Sequence, residues 1–238
     1  MGEGHQLRWG GIAGIAAVVL AIVARLVVGS VPAVTDTPRA IALFIVEHQT
    51  QILVAALIYA LAVVCVLWFG AALSTAFRRA DETSDAPAIV LAGYTLVCAI
   101  GFIAVAVLAG ITYALTQVPY LLILAPGPYT ALVAVSAIGG VAMALPMGAT
   151  AVAIRGTHVF PVWMAWFAGV VAAIEILGGI GAVSGVQALA PGTPFVGYLP
   201  GVLAGLWILT ASGLLVREHL PSIAAEPTTS APPAVGHA

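Results

Sequence analysis

Six stretches of twenty or more predominantly apolar residues follow one another along this chain, at about 10–31, 52–77, 88–115, 129–154, 161–183 and 195–216. At about 1.5 Å per helical residue, each can cross the ~30 Å hydrocarbon core of a bilayer. Lipid offers no hydrogen-bond partners, so such a segment has to satisfy its own backbone, and an α-helix does so. The pattern predicts an all-α polytopic membrane protein, a bundle of six transmembrane helices.

Composition agrees with this. Of 238 residues, 62% are hydrophobic and 7% charged, where a soluble domain carries about a quarter charged. A net charge of −2 with scattered arginines forms no patch for nucleic acid. The expected partner is the lipid bilayer itself, with a second copy or another membrane protein left open. Every cation is Arg, and Lys and Asn are absent, a bias that fits a GC-rich bacterial genome. Cys65 and Cys98 sit within apolar spans, where they behave as small buried hydrophobes rather than as a disulfide. Arg8 ahead of an apolar run imitates a signal peptide, but 10–31 exceeds the ~7–15 residues of a signal core and lacks a small-x-small cleavage site. It is expected to remain as the first helix.

The connections assign the sides. Arg8, Arg78, Arg79, Arg155 and Arg217 fall on one face of a six-span topology and Arg39 on the other, so the excess of arginine places both termini in the cytoplasm. Trp9, Trp163 and Trp166 on that face, and Tyr120, Tyr129 and Tyr198 on the opposite one, read as interfacial anchors. The outer segment 32–51 holds Asp36, Arg39, Glu47 and His48. Within it, the apolar residues 41–45 after Pro38 suggest a short helix lying in the interface. Pro146 falls inside the fourth span, where it removes a backbone hydrogen bond and kinks the helix. The Pro-, Ala-, Thr- and Ser-rich tail 218–238 has too little apolar surface to fold alone and is expected to be disordered.

Two charges lie inside the apolar spans, Arg25 in the first and Glu175 in the fifth. A charge in lipid needs a partner, a wet cavity or a proton. Counted from Trp9 and Pro161 at 1.5 Å per residue, they lie roughly 24 and 21 Å from the cytoplasmic edge. Small residues share their helical faces: Ala168, Ala172, Gly178, Gly179 and Ala182 around Glu175, and Gly14, Ala21 and Gly29 around Arg25. Both therefore point into the bundle. An Arg25–Glu175 ion pair is expected between the first and fifth helices, with Glu175 as a proton or cation site of a small transporter as the alternative. Gly197, Gly201 and Gly205, spaced by four, together with Gly10 and Gly14, are the candidate helix-packing residues.

Nothing resembles catalysis. Glu47, His48 and Asp36 match no metal-ligand spacing, and no phosphate loop, nucleophile elbow or thiol pair occurs. The chain is expected to use no metal or cofactor and to be no enzyme. In its first span ending Val28-Gly29-Ser30, its outer segment with Phe44 and His48, and Trp68-Phe69 ahead of Arg78-Arg79, it resembles uncharacterised six-helix integral membrane proteins of high-GC bacteria, a domain of unknown function. That resemblance implies a multi-pass place in the bacterial cytoplasmic membrane and carries over no functional residue. The expected function is that of a non-enzymatic structural or accessory component, with a small proton-coupled transporter or permease component using Glu175 as the alternative.

Overall fold

The computed structural model describes residues 3–117, 125–184, 193, 196 and 198–218. Among them are seven helices: α1 (Glu3–Val28), α2 (Pro38–Glu47), α3 (Gln49–Ala80), α4 (Ala86–Gln117), α5 (Pro126–Thr157), α6 (Val162–Val183) and α7 (Leu199–Glu218). All but α2 are long and apolar enough to cross a membrane. The tail 219–238, Tyr120 and Gly197 lie outside the described residues.

Helix ends follow local chemistry. α1 stops at Val28, three residues short of the expected boundary, because Gly29 adopts φ +71° and its carbonyl accepts from the Arg25 guanidinium. The side chain thereby satisfies backbone that the helix has left behind. The expected short helix around 41–45 forms as α2. Thr37 caps it by accepting from the Ala40 amide at 3.3 Å, and Pro38 starts it; neither choice disturbs a hydrogen bond the first turn could make. α3, α4 and α5 have 32 residues each, about 48 Å, so their ends stand beyond a ~30 Å apolar layer. That is why each extends past the boundaries expected from hydropathy. At the α3–α4 turn, Asp81 accepts from the Thr83 amide at 3.0 Å and its hydroxyl at 2.7 Å. These bonds to the charged form hold its carboxyl below the usual carboxylate range. His158 closes α5 in the left-handed region, φ 55°.

The six long helices close into a ring in the order α1, α3, α4, α5, α6, α7 and back to α1. Neighbours approach through glycine. Gly10 meets Ala72, Gly14 meets both Phe69 and Ser212, and Gly70 receives the Tyr94 ring. The ring's core fills the half nearer the start of α1 and the end of α7, here called the terminal side, with Phe69, Phe77, Tyr94, Met147, Phe160, Met164 and Trp207 at its centre. Phe69 stands edge-on to Tyr94, with ring centroids 5.8 Å apart, and to Trp207 at 6.4 Å. These are preferred aromatic geometries. The indole N–H of Trp207 donates to the Met164 carbonyl at 3.2 Å, tying α7 to α6. On the opposite, far side, α2 lays Ile41, Ala42 and Ile45 against Leu115, Ala125 and Tyr129. Outward, the ring shows apolar side chains such as Leu26, Leu57 and Val152, far more than a water-facing surface carries. The long helices and this surface suggest a multi-pass membrane protein.

α5 runs on through Pro146, and Gly93 of α4 receives the proline ring: a Cβ there would stand 2.7 Å from Cδ. Of the candidate packing glycines on the last helix, Gly205 makes ordinary contact with Val18, at 3.8 Å from its would-be Cβ, while Gly201 has open space beside it. Close approach occurs instead at other glycines, among them Gly10, Gly11 and Gly14 of α1, which face α3 and α7.

Candidate functional site: a buried carboxylate

Glu175 continues the stripe of α6 that lines the core. Met164, Ala168, Val171 and Ala172 lie on that stripe and are buried, and Glu175, three residues after Ala172, follows at 5% exposure. Its carboxylate turns toward α5. A Cβ placed on Gly140 would sit 2.5 Å from Oε2 and 3.7 Å from Cδ, so the missing side chain of Gly140 is the space the carboxylate uses. One turn on, Gly179 takes the Val141 side chain, and Gly178 faces Pro200 of α7 at 3.6 Å. The α6 face of small residues expected from the sequence is thus present, and it serves α5 and α7.

Arg25 and Glu175 are not brought together. Arg25 donates to the Gly29 carbonyl and, through Nη2, to the Tyr198 hydroxyl at 3.2 Å, with its guanidinium 5.7 Å from the Tyr198 ring centroid. Two physical reasons separate the charges. First, α7 lies between α1 and α6 in the ring. Second, they differ in depth. Gly178 opposite Pro200 sets Glu175 level with Leu203, and Gly205 opposite Val18 sets Leu203 level with Leu20. Arg25 is five residues farther along α1, about 7.5 Å toward the far side. Counting both depths from one assumed plane misses this offset, because the helices do not start in register. Among the described residues, no hydrogen bond or ion pair engages the Glu175 carboxylate.

Arg25 belongs to a second polar group, at the far rim. Tyr59 lies within electrostatic reach of Arg25 and Tyr198, and Tyr129 within reach of Tyr198, Asp36 and Arg25. The Tyr129 hydroxyl donates to the Pro32 carbonyl at 2.7 Å, and Asp36 accepts from the Ala33 amide at 2.8 Å. Amphipathic rings and a long cation grouped at a helix rim are what an apolar–polar boundary favours. On the terminal side, Arg155 lies 4.5 Å from the Trp166 ring centroid, a cation–π contact at the aromatic edge.

Hydroxyls inside the ring were not singled out by the sequence. Among the described residues, Tyr94 Oη, Thr150 Oγ1 and Ser212 Oγ are buried without a hydrogen-bond partner. A hydroxyl within an apolar helix looks ordinary in sequence because it can bond its own backbone. Thr75, Thr95, Thr112, Ser136, Thr157 and Thr210 do so, each to the carbonyl four residues earlier. A groove of about 520 Å³ between α4 and α5, lined by Asp85, Ile89, Leu145, Gly148 and Val152 among others, lacks Glu175 in its walls. No family model matches the chain, and neither a curated protein nor a solved structure shows significant similarity to it.

Proposed function

We propose that this chain is a multi-pass protein of the bacterial cytoplasmic membrane, with both termini cytoplasmic, in which Glu175 binds a proton, as in a small proton-coupled transporter or permease component. The observation that carries this is the setting of Glu175: 5% exposed, turned into the space beside Gly140, and with no cation bonded to it among the described residues. A carboxylate inside an apolar span without a counter-charge is costly, and a proton removes the charge at least expense in structure. An accessory role built on an Arg25–Glu175 pair has less support, because Arg25 is occupied by Gly29 and Tyr198. The chemistry asks only for reversible protonation of one carboxyl group, and no enzyme activity is invoked.

The test is infrared difference spectroscopy of the protein in liposomes, between acid and alkaline pH, with dye-reported proton entry under an imposed pH gradient. The wild type should show the C=O band of a buried protonated carboxyl and should speed proton entry, and Glu175→Gln should abolish both. Identical spectra and identical fluxes for wild type and Glu175→Gln would overturn the proposal.

A further inference from the structure

The interior of the ring is filled at two levels and open between them. On α5, Tyr129, Ser136, Met143 and Met147 share one face. It is the inward one, since Gly139 on one flank meets α4 and Gly140 on the other meets α6. Tyr129, Met143 and Met147 are buried, whereas Ser136 is exposed, its hydroxyl donating to the Leu132 carbonyl at 3.0 Å. α4 repeats the pattern: Val90 and Leu115 are buried, and Val97, Ala104 and Leu108, between them on the same face, are only half-buried. A ring close-packed throughout would bury these positions, so a chamber lies between the two core clusters. Ser136 is four residues from Gly140, about 6 Å toward the far side. The Glu175 carboxylate, set against Gly140, therefore forms the chamber's floor.

The far end of the chamber is polar. Arg25 follows Gly14 by three helical turns and shares the face by which Gly14 meets both α3 and α7, so the side chain starts inward. Tyr198 accepts from Nη2 at 3.2 Å, and Tyr59 of α3 lies within electrostatic reach of both. Tyr129 reaches Arg25 and Tyr198 from α5, on the opposite wall of the ring. Side chains of four helices thus converge over the opening. Of the guanidinium's five N–H groups, the bonds to Gly29 and Tyr198 engage two. Among the described residues no carboxylate forms an ion pair with Arg25; Asp36, which acts on Tyr129, accepts from the Ala33 amide.

We propose that this chamber binds a small monocarboxylate, its carboxylate on Arg25, Tyr198 and Tyr59 and its hydrocarbon body directed toward Glu175. A guanidinium flanked by phenol hydroxyls holds a carboxylate through charge-assisted hydrogen bonds, and half-buried apolar side chains such as Val97, Leu108 and Val133 take the hydrocarbon. Arg25 stands about 7.5 Å farther out than Glu175, an interval that a short chain fills. The proposal rests on Glu175 carrying a proton. Anion and proton then occupy the chamber together with no net charge added, and loss of the proton sets two negative charges in one apolar space, which weakens binding. The elements packed on α6 bring no competing titratable group to Glu175 among the described residues: α5 presents Gly140 and Val141 and α7 presents Pro200. Tyr129 and Arg155 of α5, Tyr198, and Arg217 and Glu218 of α7 all sit at helix ends.

The experiment is saturation-transfer NMR of butanoate on the full chain in phosphatidylcholine nanodiscs, against empty nanodiscs, with n-butylammonium as the cationic counterpart. It runs from about pH 6 to 9, where a free carboxylate stays ionised, beside the infrared band of the Glu175 carboxyl. Butanoate should bind saturably and lose affinity as that band disappears, and Glu175→Gln should remove the pH dependence. Arg25→Gln should weaken binding by at least on the order of tenfold, the worth of one charge-assisted hydrogen bond. Ser136→Leu should block binding while leaving the unfolding midpoint unchanged, because its side chain enters open space. Preference for butanoate over n-butylammonium and the Ser136→Leu result decide the matter even if Arg25→Gln does not fold. Absence of butanoate binding with the band present, or equal binding of the two probes, overturns the anion site and leaves the proton reading standing. A large fall in the Ser136→Leu midpoint means a packed interior and overturns the chamber. Binding of butanoate independent of pH, in a wild type that lacks the band, overturns the proton reading instead and leaves Arg25 as a site for the anion by itself.

Discussion

Gly140→Ala is the sharpest probe of how the ring accommodates a carboxylate. The added methyl would stand 2.5 Å from Glu175 Oε2, while Cδ at 3.7 Å and the Glu175 carbonyl at 3.9 Å are at ordinary contact distance. The clash is thus with the tip of one side chain, and relieving it swings the carboxyl out of its space into apolar surroundings. Overpacking of this kind costs about 1–3 kcal/mol. In a Glu175→Ala background the obstructing atoms are gone, so the same substitution should be neutral, or stabilising by up to ~1 kcal/mol from the better helix propensity of alanine. The difference between backgrounds, a coupling of about 1–3 kcal/mol, is read from a double-mutant cycle of unfolding free energies in detergent or nanodiscs. An equal penalty in both backgrounds would refute the placement of the carboxylate against Gly140.

Arg25→Ala and Glu175→Ala should be additive within ~0.5 kcal/mol in unfolding measurements, since the two side chains share no partner; a coupling of several kcal/mol would restore the ion pair. Phe69→Ala empties the site between the Tyr94 and Trp207 rings and should cost about 3–5 kcal/mol, seen as a lowered unfolding midpoint without loss of helical circular dichroism in the folded state. Asp81, held below the usual carboxylate range by Thr83, supports its turn above the ordinary carboxylate value and loses that support as pH falls through the lowered one. Amide exchange at Thr83 should accordingly speed up only in strong acid, and in Asp81→Asn it should be insensitive to pH over that range apart from the intrinsic rate.

Much of the ring was legible because lipid leaves so few choices for an apolar segment. The run 52–77 had to be a helix, and Pro38 ahead of residues 41–45 was enough to mark α2. Boundaries were less legible where polar or small residues continue a helix beyond the apolar layer, as at Gln49–Thr50 and Arg78–Ala80 of α3. At the site, helical spacing correctly put Glu175 among small residues, because faces are a property of one helix. The partner of Glu175 depends on ring order and on the axial offset between helices. Neither is written in any single span, and α7 intervenes where a direct contact was expected. The glycines tell the same story. Gly197, Gly201 and Gly205 repeat in sequence, yet at Gly201 no neighbour approaches, whereas the unrepeated Gly140 has the carboxyl group of Glu175 pressed into its place.

The junction of α1 with α7 bears on how the chain reaches this state. α1 is made before α3 and α7, but the face bearing Gly11 and Gly14 has to wait for Ser212 and Leu215 of the last helix of the ring. Closing the ring is therefore its most non-local step, the kind that folds slowly and leaves grooves open in the meantime. A nascent chain halted before α7 would present that glycine-lined face to the bilayer, where another helix could occupy it.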